Sequence, residues 1–505
     1  MKIATQKPYW IYGLLLMFAF GSIMQAQVYS DLWGKNGEKW TPKSRLPDFS
    51  FAGYHFGEKE LPKVATATNV KRFGAKGDGK TDDTDAFKKA IEVTDRGAIL
   101  IPEGTYLLSD ILWIKKSGIV LRGEGYKKTK LHFTKELEDV RPNIGSTTSG
   151  RKTSNYSWSG GFLWVKGSTH GKVISPVISD AARGDDVIRL KDAGKLKVGQ
   201  RIQIMMKDSN KSLLKYLYSG DPGNTNQIKY DTKVKFVSRV ADIKGDYVKL
   251  ERPLRWDVRQ AWNPQVRMYE PKVSEVGIEE LGISFLQKPY KGHFTERGMN
   301  GIAMYGVTDC WVRNVRISNC DSGIFMGGDF CTIDGLIIDG ERKPHRGDTG
   351  HHGVTMGGSD NVLQKFIFEA KFIHDITVSK SSIGNVIKNG RGENLSFDHH
   401  KRAPYENLFC KIDVGKGSQI WRCGGGRDLG KHCGARGTFW AIQSKRPIKW
   451  PGSGFGPDSM NVVGVKSESK SIKDPDGKWF EAIHPRKLVP TDLHAAQLQR
   501  RLKRK

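Results

Sequence analysis

A short apolar strand recurs through the second half of the chain, and its spacing constrains the fold more than any other feature. The blocks read Gly301-Ile-Ala-Met-Tyr-Gly, Gly323-Ile-Phe-Met-Gly-Gly, Gly353-Val-Thr-Met-Gly-Gly, Asp375-Ile-Thr-Val-Ser-Lys and Asn394-Leu-Ser-Phe-Asp-His, starting 22, 30, 22 and 19 residues apart. A repeat of that length suits a solenoid in which every turn adds one strand to a continuous parallel sheet. Alternation then sends Ile302, Met304, Ile324, Met326, Val354, Met356, Ile376, Val378, Leu395 and Phe397 inward. Ala303, Phe325, Thr355, Thr377 and Ser396 face out, with Asp398 just beyond them. This outer face is small in the middle and polar at its ends, the profile of a shallow groove for a chain-like ligand. His352 and His374 each precede a block, which predicts neighbouring rungs roughly 5 Å apart. His399 ends a later block, beside Lys380 and roughly 17 Å from that pair.

The chain carries 82 Lys plus Arg against 54 Asp plus Glu, a formal net charge of +28 at pH 7. Such an excess attracts polyanions: nucleic acid, acidic membrane, or sulfated or uronic-acid polysaccharide. The N-terminus narrows the choice. Lys2 and Lys7 precede an apolar run from Trp10 to Met24 and a small-residue exit, Gln25-Ala26-Gln27, which predicts a secretory signal peptide over residues 1–26. No second apolar run of about 20 residues follows, so a secreted, soluble chain without membrane insertion is expected. Export disfavours DNA or RNA and favours an extracellular anionic polysaccharide as partner, with the protein acting as a monomer. The six cysteines are too few for a disulfide scaffold. Cys310 and Cys331 are expected to stack on neighbouring turns, whereas Cys423 and Cys433, in a glycine-rich loop, could form one disulfide. Without a CxxC pair a thiolate zinc site is disfavoured.

Residues 27–68 are irregular and rich in aromatics and proline, and are expected to pack along the outside of the body. Residues 69–171 start with a strand, a glycine turn and a helix whose Phe87, Ala90 and Ile91 share one face, with Thr81, Asp82 or Asp83 as cap. That helix would cover the open end of the solenoid. The run from Phe73 to Phe87 resembles the start of the pectate-lyase-like family of right-handed parallel β-helices, which often reads F-G-A-x-G-D-G-x-T-D-D-T-x-A-[FI]. The resemblance speaks for architecture more than activity, because that family includes lyases, hydrolases and phage tailspikes. The fold expected is all-β: a right-handed parallel β-helix with an N-terminal capping helix and a small inserted antiparallel β subdomain over residues 172–270, where alternating runs interrupt the coils. The main helix with its groove then spans residues 271–465, and the basic tail, residues 466–505, is expected to be a frayed end.

Cleaving a uronate by β-elimination requires a cation for the carboxylate, a base for the C5 proton and an acid for the leaving glycosidic oxygen. His, Lys, Arg and Tyr, all crowded into residues 323–405, can supply the three functions near neutral pH. Hydrolysis instead requires two carboxyl groups, about 5–5.5 Å apart for retention or about 6.5–9.5 Å for inversion. Asp329, Asp375, Glu393 and Asp398 keep that alternative open. Gly350-His351-His352-Gly353 resembles the GHG element of polygalacturonases, although their NTD and RIK elements are missing. His351, His352 and His374 could ligate a transition metal, and clustered carboxylates could bind calcium as in some pectate lyases. No spacing is diagnostic, so no metal ligands are assigned and calcium stays a candidate only.

The segment from Asn394 to Trp440 is similar to secreted β-helix proteins in polysaccharide-degrading systems of marine bacteria. Over most of residues 45–465 the chain resembles the endo-acting ulvan lyases of that group. The resemblance implies ulvan, a sulfated polymer of rhamnose and uronic acid, as substrate. Under it, His352 and His374 act as base or acid, His399 is a further candidate, and Tyr405 could supply a proton. Lys380, Arg391, Lys401 and Arg402 would hold carboxylate or sulfate, with Asn394 beside them. A carbohydrate-binding β-helix without turnover is the remaining alternative.

Overall fold

The computed structural model describes residues 26–380 and 382–503. The predicted signal peptide, apart from Ala26, lies outside the described residues. Two parallel sheets run side by side along the chain. The first, called the site sheet below, stacks Leu112–Ile114, Leu163–Lys166, Asn300–Thr308, Ser322–Asp329, Gly350–Met356, Phe372–Val378 and Phe397–His399 in that order. The second, longer sheet carries Gly277–Phe285, Trp311–Ser318, Thr332–Asp339, Val362–Phe368, Val386–Gly392, Leu408–Asp413, Thr438–Gln443 and Asn461–Val465. Each long strand bends once, at Glu280, Asn314, Gly335, Lys365, Asn389, Lys411, Ala441 or Gly464, where φ lies between 51° and 80°. The ladder passes over that position from turn to turn, so that Arg313 pairs with Asp334 and Val315 with Leu336. A left-handed residue costs an L-amino acid roughly 1–2 kcal/mol. Stacked pairing on both sides of the bend offsets that cost, and each long strand thereby serves two faces. With the site sheet as the third face, the chain is a right-handed parallel β-helix.

The inward columns follow the alternation of the repeat. Ile302, Ile324, Val354, Ile376 and Phe397 form one column, and Met304, Met326, Met356 and Val378 another, all buried. Burial of each such side chain contributes about 1.5–3 kcal/mol. At the turn after the site sheet, Asn361 Nδ2 donates to Asn385 Oδ1 at 3.0 Å and Asn385 Nδ2 to Asn407 Oδ1 at 3.1 Å. This ladder satisfies polar groups that would otherwise be buried unpaired. The helix Thr84–Val93 covers the N-terminal end with Ala86, Phe87, Ala90 and Ile91 buried. Its first amide is capped from Asp82, whose Oδ1 accepts from Thr84 N at 3.0 Å.

Trp33, Trp40, Leu46 and Phe49 pack on the outer side of the long sheet against Val362, Val386, Leu408, Trp440 and Val463. The C-terminal tail differs from the frayed end its charge suggested. Trp479–Glu481 continues the long sheet beside Asn461–Val465, and the helix Leu493–Leu502 docks on the same outer layer. Gln497 accepts from Phe49 N and donates to Pro47 O, each at 2.8 Å, and Arg501 pairs with Glu58 at 2.6 Å. Its basic residues are therefore used in fastening the helix to the aromatic N-terminal segment. Cys310 and Cys331 are buried on adjoining turns, and all six cysteines, Cys423 and Cys433 included, are unpaired. Among the described residues no helix is long and apolar enough to cross a membrane.

Between the first turns and the main helix, strands from Val173–Pro176 to Gln265–Met268 form a six-stranded antiparallel sheet with its own core around Ile204, Phe236, Trp256 and Trp262. This subdomain is tied to the β-helix by arginines that meet carboxylates at every second turn. Arg201 pairs with Asp309 at 2.6 Å, Arg252 and Arg255 with Asp360 at 2.7 and 2.8 Å, and Arg255 with Glu406 at 3.4 Å. Burial pushes the Asp360 carboxyl up, but the two guanidiniums outweigh it and hold it below its ordinary value. Asp360→Asn removes the charge while Arg252 and Arg255 stay buried. A loss of about 3–5 kcal/mol is expected, read as a lower urea midpoint; an unchanged midpoint would contradict this anchoring role.

Candidate active site

The last strand of the site sheet pairs Phe397 with Ile376, Asp398 with Thr377 and His399 with Val378. Matching the sequence blocks end to end had placed Leu395 opposite Ile376, two residues away. The chain between the two strands makes a nearly full turn before pairing, and Leu395 is spent in that turn, donating its amide to the Val414 carbonyl at 3.1 Å. The shift sets His399 beside the buried Val378 instead of beyond the strand end next to Lys380, and alternation after Phe397 points its ring into the interior. It is 0 % exposed, its ring lies 5.2, 5.5 and 5.1 Å from those of Phe409, Phe439 and Phe455, and its Nδ1 is 2.9 Å from the Phe397 carbonyl. Asp398 faces outward beside Thr377, as expected, and His400 takes the rim.

Above the site sheet opens a cleft of about 870 Å³. Phe325, Thr355 and Thr377 lie under it, and His293, His351, His352 and His400 line it. The hairpin Ile144–Ser146/Lys152–Ser154 contributes Thr147 and Thr148, while Gly424, Gly425, Gly426 and Arg427 contribute a facing loop. At Gly424 a Cβ would sit 2.5 Å from His374 Cε1 and 2.6 Å from His400 Cε1. Only glycine lets the loop pass this close over the rings, and its amide donates to Asp398 Oδ1 at 2.7 Å. The outward column under the cleft runs on through Phe325 and Ala303 to Trp164 and Trp113, whose rings stack at 4.6 Å.

Hydrogen bonds connect successive turns in this floor. The Thr377 hydroxyl donates to Asp398 Oδ2 at 3.0 Å, so its oxygen accepts from His352 Nδ1, also at 3.0 Å. His400 Nδ1 stands 2.8 Å from the same carboxylate oxygen. With Nδ1 as donor in both rings, each histidine keeps an Nε2 lone pair. His374 lies behind them, its ring 5.0 Å from His352 and its Nδ1 3.3 Å from Asp398 Oδ2. A second group adjoins the first: His293 Nε2 is 2.9 Å from His351 Nε2, and His351 Nδ1 is 3.7 Å from Glu296 Oε2.

Burial, then the neighbouring histidines, pulls His351 and His352 well below the ordinary imidazole value. Burial also brings His374 to about 4, against the opposing pull of Asp398, and His293 to about 4 with His400 adding to the effect. These four rings are therefore neutral near pH 7. Burial pushes the Asp398 carboxyl up, but His374, His400 and the Gly424 amide outweigh it and hold it far below the carboxylate range. Glu296 is pushed up to about 7, by burial first and by Asp321 as well. Asp375 is pushed up to about 6 by burial and serves the turn, accepting from Phe372 N and Ser396 N at 3.0 and 2.9 Å.

Of the residues singled out in the sequence, the structure brings His352, His374 and Arg402 to the cleft or directly behind it. Lys380 stands at its edge, 3.5 Å from the Tyr230 ring that Arg402 also approaches, and Lys401 packs behind Gly425. Arg391 is elsewhere: it belongs to the long sheet, paired with Ile367 and Asp413. Asn394 is half-buried in the turn and bonds Ser418. Tyr405 is 0 % exposed, packed between Trp256 and Arg436 where the inserted subdomain meets the helix. Each of these three follows a bend that carries the chain off the site face. His293 escaped sequence reading altogether, being in a loop ahead of the first block; its pairing with Phe294, stacked at 3.6 Å, is the one local signal. Among the described residues, three groups bring metal-ligating atoms within 4.8 Å of one another: His293, His351 and His374; His374, Asp398 and His400; and, away from the cleft, His55, Glu275 and Asp309. The last is already engaged, with His55 on Glu275 at 2.7 Å and Arg201 on Asp309.

Comparison with known proteins bears on the N-terminal turns. Residues 67–165 match the family model described as rhamnogalacturonase A/epimerase, pectate lyase-like. Over 97 residues the chain is 37% identical to alginate lyase 7 of Azotobacter vinelandii, a match covering 17% of this chain and 11% of that protein. The chain thus spans about a tenth of that curated relative. Among solved structures, the tailspike protein gp49 of Pseudomonas phage LKA1 is 14% identical with a TM-score of 0.35, covering 80% of this chain and 74% of that one. The A-module of a mannuronan C-5 epimerase of Azotobacter vinelandii is 10% identical with a TM-score of 0.24, covering 80% and 98%. The matched segment of the family model holds the capping helix and first turns but none of the cleft histidines.

The inward position of His399 is open to test. His399→Ala should cost about 2–4 kcal/mol by leaving a cavity among aromatic rings, and His399→Leu, which refills the space, should recover most of it. Equal melting temperatures for the wild type and His399→Ala would place the ring outside the core.

Proposed function

We propose that the protein is a secreted, monomeric polysaccharide lyase that cuts an acidic, sulfated, uronic-acid-containing algal polysaccharide, most specifically ulvan, endolytically by β-elimination. The observation that carries this reading is the chain His352–Thr377–Asp398–His400 in the floor of the cleft. It presents two Nε2 lone pairs backed by one ionised carboxylate. In the elimination, an Nε2 lone pair takes the C5 proton, the C5–H electrons form the C4=C5 double bond, and the C4–O bond breaks. The imidazolium formed is stabilised by Asp398 and hands its proton to the departing glycosidic oxygen. His400 has the more direct claim because it touches Asp398 itself, while His352 reaches it through Thr377.

Arg402 and Arg427 line the same cleft and suit carboxylate or sulfate, with Lys380 at its edge. Trp164 and Trp113 extend the floor as faces on which sugar rings can lie, in keeping with an extended chain. Among the described residues the cleft lining carries no carboxylate, and Asp398 and Glu296 are buried behind it, which weighs against two-carboxylate hydrolysis. The pectate-lyase-like match and the likeness to an alginate lyase support action on a polysaccharide.

Incubation with a panel of acidic polysaccharides, ulvan included, should raise ultraviolet absorbance from unsaturated uronate while polymer length falls early. His400→Ala and His352→Ala should each lower kcat by about 10²–10⁴-fold, whereas Tyr405→Phe and Arg391→Ala should leave it unchanged. New reducing ends without absorbance would sink the lyase reading in favour of hydrolysis. Binding without shortening would mark a carbohydrate-binding protein.

A further inference from the structure

We propose that His293, His351 and His374 bind a divalent transition-metal ion of the zinc class in the wall of the cleft, with coordination positions left open to an oxygen of the substrate. The proposal rests on the lyase reading only for that oxygen, a carboxylate or sulfate of the acidic chain.

Four observations converge on it. The three side chains bring ligand atoms within 4.8 Å of one another, and His293 Nε2 and His351 Nε2 are 2.9 Å apart. Two nitrogens each about 2.0–2.1 Å from one ion stand roughly 2.9–3.4 Å apart across octahedral to tetrahedral angles, so this pair already has the spacing of neighbouring ligands. Next, buried ring nitrogens beside this pair have no partner. His374, 3 % exposed, has neither ring nitrogen in a hydrogen bond, and His351, 1 % exposed, has none at Nδ1. Buried polar atoms without partners are costly and rare; an ion between the His293 and His351 Nε2 atoms would take up one ring nitrogen of His374, and His351 Nδ1 would be left facing Glu296. Third, each buried ring has a carboxylate beside it, Glu296 at 3.7 Å from His351 and Asp398 at 3.3 Å from His374. Such outer carboxylates orient metal-bound histidines and raise their basicity. Last, His293 and His351 line the cleft, so an ion between them would face incoming ligand.

The donor set also selects the ion. Imidazole suits zinc, nickel, cobalt or copper, whereas calcium takes oxygen ligands. Three protein ligands with a position left open is the arrangement of reactive rather than closed structural sites.

The mature chain, purified without a histidine tag and stripped with chelator, is titrated with Zn²⁺ and separately with Co²⁺. About one equivalent should survive desalting, Co²⁺ should develop a visible ligand-field band, and the melting temperature should rise with metal and fall back with chelator. His293→Ala should weaken binding at least about tenfold, as should His351→Ala; His432→Ala should not, the His432 Nδ1 lying 3.0 Å from the His399 carbonyl. No retained Zn²⁺ or Co²⁺, binding that survives both ligand substitutions, or preference for Ca²⁺ would each overturn the site. Retained metal with no cleavage of any acidic polysaccharide supports the site and overturns the lyase reading. Full-rate cleavage by protein that retains no metal overturns the site and leaves the lyase reading standing.

Discussion

Every functional feature of this molecule depends on strands of successive turns pairing in register. Parallel pairing places Phe325, Thr355, Thr377 and Asp398 in one outward column and sets His352 beside His374. Residues about 20 positions apart thereby become hydrogen-bonding neighbours without any loop having to carry them. The same stacking makes the left-handed bends tolerable, because Asn314, Lys365, Asn389 and Lys411 each sit between ladders that continue on both sides. A rigid sheet is also what a proton-transfer site requires, since small misplacements of a base are expensive.

Charge is managed by burial in pairs. Asp309, Asp360 and Glu406 at the turns are matched by Arg201, Arg252 and Arg255 of the inserted subdomain, which fixes that subdomain against the helix. Asp398 is the exception in kind: it is buried like the others, but its partners are imidazoles and a hydroxyl rather than guanidiniums. An imidazole can give up or take a proton near neutrality, whereas a guanidinium cannot. The Asp398 chain is thus of a kind that can pass a proton, while the arginine-paired carboxylates are suited to holding the structure together.

Much of the architecture was legible in residue patterns. The glycine-bounded blocks, the Phe73–Phe87 run and the alternating segments of residues 172–270 correspond to the β-helix, its cap and its antiparallel insert, because periodicity reports which side of a strand is buried. The site was legible only in part. His352 and His374 could be set on adjacent rungs by counting, since each immediately precedes a block with the same apolar alternation. Phe397 to His399 could not, since turn length between blocks varies and a shift of two residues keeps the same alternation.

What the sequence determined by itself is the repeat, its inward columns, the basic excess and the concentration of histidines after residue 340. Only the tertiary structure decided which of those histidines share a space. It sent His399 into an aromatic core, gave its place to His400, and drew in His293 from a loop with no periodic signal. It also took Arg391, Asn394 and Tyr405 away, each around a bend that changes the face of the helix. The physical reason is the same in each case: strand alternation is a local property, but the register of one turn on the next is set by long-range pairing and by the packing of the turns between them.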